Sequence, residues 1–537
     1  MCYAEHHVVR SPPRFDRFDP YPGTGGGVAQ HDVDYYPHGH LSRAGGPSGG
    51  HLVYLPSCCP ANATGPTTQP ENTMYQDPHT SSHYSGATPS APATPAPLRV
   101  GLLGLGTVGA GTYAVLQRNA ALIAARAGRR IEVRRVAVRN LERARARLGE
   151  GVGRSVTLGD DAWAVVQAPD IDVVVETVGG TGVARELVLQ AIAYGKHVVT
   201  ANKALLAEHG AEIFAAAQER GVVVAYEGAV AVSIPIIKAL REGLAGNRIE
   251  WLAGIINGTS NFILSAMQTQ GLDFAQALAQ AQALGYAEAD PALDVQGVDA
   301  AHKLSLLAAN AFGTLPQFAQ VQVQGIDTLD AVDVGFARQL GYSVKLLGLA
   351  RRCGEGLELR VHPALLPQHH LLAQVHGSMN AVMVHSDAAG TTLYYGAGAG
   401  GEQTGSAVVA DLVDLARSQA VAPSQRVPSL AFQPGALVAP PVQEAAATTS
   451  RFYLRLDVDR VEATVPAVLQ YLGSQGVPVQ RMEVFAHPND PALHCLVLLT
   501  DRVLQRDLSA ALELLHAWPT VLGHASVLHL ETLNGGV

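Results

Sequence analysis

From residue 98 onward the chain alternates short apolar runs with longer amphipathic ones. The apolar run at about Leu98–Leu103 ends in glycines and passes into the helical pattern "TVGAGTYAVL". Strand-like runs recur in "IEVRRVAV", "DVVVETVGG", "HVVTANKALLAEHG" and "VVVAYEG", with "GVARELVLQAIAYG" helical among them. Strands alternating with helices predict a doubly wound parallel sheet, covered by helices on both faces. Beyond about residue 245 the rhythm changes. Longer amphipathic patterns predict helices at about 261–285 and 299–312, and "YSVKLLGLA", "LELRVHPALL" and "AVMVHS" read as strands of a second, α+β domain. A helix is predicted at about 404–418. A Pro/Ala-rich linker follows at 421–450, and the tail then reads strand–helix–strand–strand–helix–strand. That order predicts a small ferredoxin-like domain.

The periodicity is missing before residue 98. Residues 1–97 are dense in Pro, Gly, Ser, Thr, His and Tyr. Such a stretch buries too little surface to offset its ordering entropy, so a disordered extension is expected. The expected domains are 1–97 (extension), 98–234 (Rossmann), 235–420 (α+β), 421–450 (linker) and 451–537 (tail).

Composition narrows the function classes. With 537 residues the chain is long enough for several cores. A net charge of −9 and the lack of a basic patch speak against nucleic acid as a partner. The sequence has no apolar run of the roughly 18–20 residues that a membrane span needs. The five cysteines are scattered without metal spacing, and the first residues carry no apolar leader segment. A cytoplasmic protein with reduced thiols is therefore expected.

Chemistry enters with Gly104-x-Gly106-x-x-Gly109. It follows a strand and opens a helix, as dinucleotide binding requires: a tight turn, close approach of a pyrophosphate, and a helix N-terminus facing it. Where an acid would take the ribose 2′-hydroxyl of NAD, this chain has Arg139 and Asn140. An arginine suits a 2′-phosphate, so NADP is favoured over NAD. Lys203, in "VVTANKALL", lies just beyond a strand, at the end of the sheet where ligands bind. Asp299 and Lys303 are one helical turn apart, and Glu288, Asp290 and Asp294 precede them. Between 98 and 352 there is no cysteine and no Gly-x-Ser-x-Gly elbow, which argues against thioester chemistry. Lysines beside a nicotinamide suit proton transfer coupled to hydride transfer, with acids to hold a substrate ammonium.

These residues resemble the homoserine dehydrogenase family over about 98–418. The resemblance rests on "GLLGLGTVG", "TANKALLAEHG", "YEGAVAVSIPII", "GIINGTSNFIL", "LGYAEADPALDVQGVDAAHKLSLLA" and "YGAGAGGEQTGSAVVADLVDLA", in that order. It implies NAD(P)-dependent interconversion of L-homoserine and L-aspartate 4-semialdehyde in threonine and methionine biosynthesis. Lys203 and Lys303 become the catalytic lysines, with Lys203 the general acid/base and Asp299 in a network with Lys303. Glu288, Asp294 and Thr259 become substrate contacts; Asp290, before a proline, suits a turn equally well. Thr107, Val108, Thr177 and Asn202 join the glycines and Arg139 as coenzyme contacts. The 235–420 domain becomes the substrate and dimerisation domain, its last helix packing back on the Rossmann domain, in a homodimer or homotetramer. The family also holds a monovalent cation, usually sodium. By resemblance its ligands are the Glu227 side chain and carbonyls of Val230, Val232 and Ile234. Here Val232-Ser233 replaces two small residues, often glycines. The tail resembles an ACT domain, a threonine sensor in this family, but "DRVEATV" lacks the usual glycine turn. Two other readings stay open: a related dehydrogenase for another semialdehyde, and a non-catalytic regulatory subunit.

Overall fold

The computed structural model describes residues 95–148 and 155–533, so the extension expected before residue 98 falls almost wholly outside the described residues. The strands β1 (Leu98–Leu103), β2 (Ile131–Ala137), β3 (Thr157–Gly159), β4 (Val173–Glu176), β5 (His197–Thr200) and β6 (Val224–Ala225) build a parallel sheet. Its order is β3-β2-β1-β4-β5-β6, the doubly wound arrangement with its switch point between β1 and β4. Residues of β4 are fully buried, because helices cover both faces.

Among the described residues, eleven strands form the other sheet. They are β7 (Ile249–Ile255), β8 (Gln322–Val323), β9 (Tyr342–Cys353), β10 (Gly356–Pro367), β11 (Met379–Ser386), β12 (Gly390–Ala397), β13 (Thr449–Val458), β14 (Val479–Ala486), β15 (His494–Thr500), β16 (Val503–Leu504) and β17 (Val521–Leu530). The path runs β12-β11-β7-β9-β10-β17-β13-β15-β14, with β8 on β10 and β16 on β13.

The tail has its own core, including Phe452, Leu454, Val468, Leu498 and Leu515. It is nonetheless joined edge to edge with the preceding domain. β17 pairs in parallel with β10 at Ala364–His529 and Leu365–Leu530, which satisfies an edge that would otherwise stay open. Buried Asp333 reinforces the seam. It accepts from Tyr453 Oη (2.8 Å), Arg455 Nε (2.7 Å) and Ser526 Oγ (2.7 Å). The 421–450 segment lies along this body, bridging Thr314 to Val438 and Leu357 to Val442.

The pattern expected at 261–285 divides into two helices, Gly258–Gln270 and Phe274–Ala283. Gly271 ends the first in the left-handed region (φ 69°), and Asp273 with Gln276 forms a capping box that starts the second. The helix Val298–Phe312 is buried along nearly its whole length. It packs against the helix Lys203–Arg220 on one side and β9 and β10 on the other, so it lies between the two sheets. The helix Gly401–Ser418 crosses Thr107–Arg118 at Gly111 and Gly405, where an added methyl would meet the other helix's backbone. No helix among the described residues is long and apolar enough to cross a membrane.

Candidate active site

The glycine loop after β1 is shaped as its sequence requires. Gly104 has φ +90°, and a Cβ there would lie 2.9 Å from the Thr177 carbonyl. Thr177 Oγ donates to the carbonyls of Leu103 (2.9 Å) and Gly104 (3.1 Å), so this residue braces the turn. A Cβ at Gly106 would project into open space, whereas one at Gly109 would strike the Gly104 carbonyl. The first turn of Thr107–Arg118 holds no acid, so its N-terminal N–H groups face the loop without competing negative charge. These features fit the pyrophosphate of a dinucleotide.

Arg139 is exposed just past β2, with no ion-pair partner among the described residues. Sequence reasoning did not single out Arg147. Its guanidinium bonds the Leu105 carbonyl at 2.5 Å, which brings a cation to the glycine loop.

At the carboxyl end of β5, Asn202 caps the helix that begins with Lys203. Its oxygen accepts from Leu205 N (3.2 Å) and its amide donates to the Gly180 carbonyl (2.8 Å). Beneath it, the buried Glu176 accepts from Thr200 Oγ (2.6 Å), Val178 N (2.7 Å) and Gly179 N (2.9 Å). Asn202 and Thr177 therefore hold the walls of the cleft in this structure.

Lys203 points from this cleft to the opposing domain. Its Nζ lies 3.2 Å from Asp299 Oδ1, and Lys303 Nζ lies 2.7 Å from Asp299 Oδ2. Asn257 Nδ2 reaches both Asp299 Oδ2 (2.9 Å) and Asp294 Oδ1 (2.7 Å). Lys303 also donates to the Ile256 carbonyl at 2.8 Å. Burial alone would raise the Asp299 carboxyl. Lys303, then Lys203, and hydrogen bonds from Lys303 and Asn257 outweigh it and hold the group well below the usual carboxylate range. The result is an anion gripped between two ammonium groups from facing helices.

The four acids thus have different fates. Asp299 and Asp294 enter the network. Asp290 accepts from Ala292 N (3.2 Å) in a turn, and the exposed Glu288 carboxylate bonds no other described residue. Thr259 donates to the Tyr286 carbonyl (2.7 Å), pinning the helix start to the loop before Glu288. Sequence reasoning missed Asn257. The signal was its cap position in "NGTS", where its oxygen accepts from Ser260 N at 2.8 Å.

The Glu227 carboxylate, expected to lead a cation site, turns inward. Its oxygens accept from Ile237 N and Lys238 N, both at 2.9 Å, so it caps the turn that follows. The Ile234 carbonyl accepts from Ile236 N (2.8 Å). The carbonyls of Val230 and Val232 have no donor among the described residues, and each Glu227 oxygen, with one N–H accepted, keeps a further lone pair. Behind this loop Asp411 is fully buried, accepts from Glu227 N (2.9 Å), and is pushed up to about 8 by burial and then by the Glu227 charge.

Val232 stands at φ +52°, a conformation a β-branched residue resists. A glycine there would relieve about 1–2 kcal/mol of left-handed strain and lose about 0.5–1 kcal/mol to backbone entropy. Val232→Gly is therefore expected to raise unfolding stability by up to about 1.5 kcal/mol. Equilibrium denaturation measures this; a lower stability would show that the valine's packing outweighs its strain.

Comparison with known proteins bears on the same elements. A family model described as homoserine dehydrogenase matches residues 235–413, and one described as its NAD binding domain matches 104–227. A homoserine dehydrogenase of Pseudomonas aeruginosa is 51% identical over 438 residues, 82% of this chain and 100% of the relative. One from Neisseria gonorrhoeae is 46% identical over 438 residues, 82% of this chain and 99% of the relative. The crystal structure of a homoserine dehydrogenase from Thiobacillus denitrificans superposes with a TM-score of 0.77 at 52% identity, covering 82% of this chain and 99% of that one.

Proposed function

Since the chain belongs to the homoserine dehydrogenase family, we propose that its interconversion of L-homoserine and L-aspartate 4-semialdehyde runs through Lys203. The Gly104–Gly109 loop would hold a nicotinamide coenzyme, which when bound would supply or take up the hydride. Lys203 moves the proton. In reduction it donates from Nζ to the carbonyl oxygen; in oxidation it takes the hydroxyl proton. Exposure supports giving this role to Lys203. The Lys303 side chain is 9% exposed and already holds Asp299 and a main-chain carbonyl, whereas that of Lys203 is 37% exposed and, among the described residues, pairs with Asp299 alone. Lys303 and Asp299 then orient Lys203 and fix the charge beside it. The observation that carries the reading is the Lys203–Asp299–Lys303 chain, closed across the cleft at the same carboxyl edge of the parallel sheet as the glycine loop.

Asp294, oriented by Asn257, and Glu288 hold the substrate ammonium, and Thr259 steadies the loop between them. The coenzyme is NADP in preference to NAD, with Arg139 on the 2′-phosphate. Arg139→Glu should raise the KM for NADPH by about 10- to 100-fold, the worth of a charged hydrogen bond. The KM for NADH should stay nearly unchanged. Equal effects on both coenzymes would remove Arg139 from this role.

Homo-oligomerisation and threonine sensing by the tail belong to the same reading. The pairing of β17 with β10 gives an effector bound in the tail a mechanical route to the catalytic sheet. Steady-state assays with aspartate semialdehyde, NADPH and NADH in parallel, and sodium or potassium as the salt, test the function. Turnover with NADPH preferred is the expected result, and a difference between the two salts would assign a cation to the Glu227 loop; no turnover under any condition would overturn the reading.

A further inference from the structure

Asn380 is fully buried on β11, and neither atom of its carboxamide has a hydrogen-bond partner among the described residues. Leaving such a group unpaired costs about 1–3 kcal/mol, so its position demands an account. It is not a packing residue lost in the core, because glycines surround it. A methyl at Gly398 would fall on the Asn380 carboxamide. A methyl at Gly258 would lie 3.7 Å from Asn380 Oδ1 and 2.7 Å from the Ser378 carbonyl. Across the β11–β12 ladder Asn380 faces Gly396.

Those glycines belong to the two sides of the cleft. Gly258 begins the helix capped by Asn257, the residue that bonds Asp294 and Asp299. Gly398 belongs to the run Gly396-Ala-Gly-Ala-Gly-Gly401, whose last member packs against the glycine loop: a methyl at Gly401 would lie 2.8 Å from the Thr107 carbonyl. Asn380 thus stands between main chain of the substrate side, at Gly258, and the glycine run that leads to the coenzyme side. Gly400 adopts φ +134°, a conformation open to glycine alone, so the run can adjust without side-chain hindrance.

We propose that Asn380 is a positioning residue for the dehydrogenase reaction. With both substrates bound, its carboxamide hydrogen-bonds main-chain N–H and C=O groups of the Gly398–Gly400 turn. This holds the coenzyme-side loop in register with Gly258 and the Asn257–Asp299 network. The inference rests on the dehydrogenase reading. It adds a residue that touches neither substrate nor coenzyme.

The test is full kinetics of the complete chain with Asn380→Ala and Asn380→Ser, together with thermal melting with and without NADPH. The expected result is a kcat lowered by about 10- to 100-fold in Asn380→Ala, the scale of a misplacement near 1 Å. KM values should change far less, Asn380→Ser should recover part of the kcat, and the melting shift caused by NADPH should stay near that of the unsubstituted chain. A lower melting temperature with kcat unchanged in both variants would make Asn380 a structural residue only and overturn the proposal. If Asn380→Ala fails to fold, Asn380→Ser decides by the same criterion. Turnover by the unsubstituted chain in parallel separates failure of this inference from failure of the dehydrogenase reading.

Discussion

Lys203→Ala is expected to lower kcat/KM for aspartate semialdehyde by about 1,000-fold, within the range for loss of a general acid, or about 4 kcal/mol of transition-state stabilisation. The fold should survive. Lys203 is the first residue of its helix, the cap is made by Asn202, and Asp299 keeps Lys303 and Asn257 as partners. Binding of NADPH should change little, since no glycine-loop contact is lost. Steady-state kinetics beside a thermal melt make the measurement. An unchanged melting temperature with full turnover would move the proton to another group; Lys303 would be the next candidate.

Asp299→Asn should damage both stability and rate. In the parent one buried carboxylate neutralises two ammonium groups, at 3.2 Å and 2.7 Å. The amide keeps the shape and removes the anion, leaving Lys303 charged and buried beside neutral acceptors. Breaking a buried pair in this way costs about 3–5 kcal/mol. The rate should fall by about 100-fold, because Lys203 loses the group that aims it. The pH dependence has a definite sign. The Asp299 carboxyl lies below its unfolded value, so its contribution is fully present above the unfolded value of about 3.9. It is lost only as pH falls through the still lower folded value. The stability gap between parent and variant should therefore stay constant across neutral pH and close in strong acid. A gap that closes near neutrality would mean another group dominates.

What the sequence reveals divides along the range of the interactions. β1 and its glycine loop were legible because an apolar run, three glycines and a helix start are local signals. The Asp299–Lys303 pair was legible from spacing on one helix, and Lys203 from its place just after β5. Their meeting was not derivable from spacing, since it depends on how Val298–Phe312 packs against Lys203–Arg220; the family resemblance anticipated it. Asn257 was missed because a capping asparagine reads as local structure, while its amide serves two distant carboxylates. The inward turn of Glu227 depends on N–H groups ten and eleven residues further on. The seam between β10 and β17 joins positions far apart in the chain, where the composition suggested only a linker and a separate tail.

The central claim is that one cleft brings Lys203, held by Asp299 and Lys303, to the oxygen that gains or loses a proton as hydride moves. A crystal structure of the chain with L-homoserine and oxidised NADP tests it most directly. The expected result is the homoserine hydroxyl oxygen within about 2.6–3.2 Å of Lys203 Nζ, with its carbon about 3–3.5 Å from the hydride-accepting carbon of the ring. A hydroxyl turned away from Lys203, or a substrate bound outside the space between Lys203 and Asp294, would contradict it.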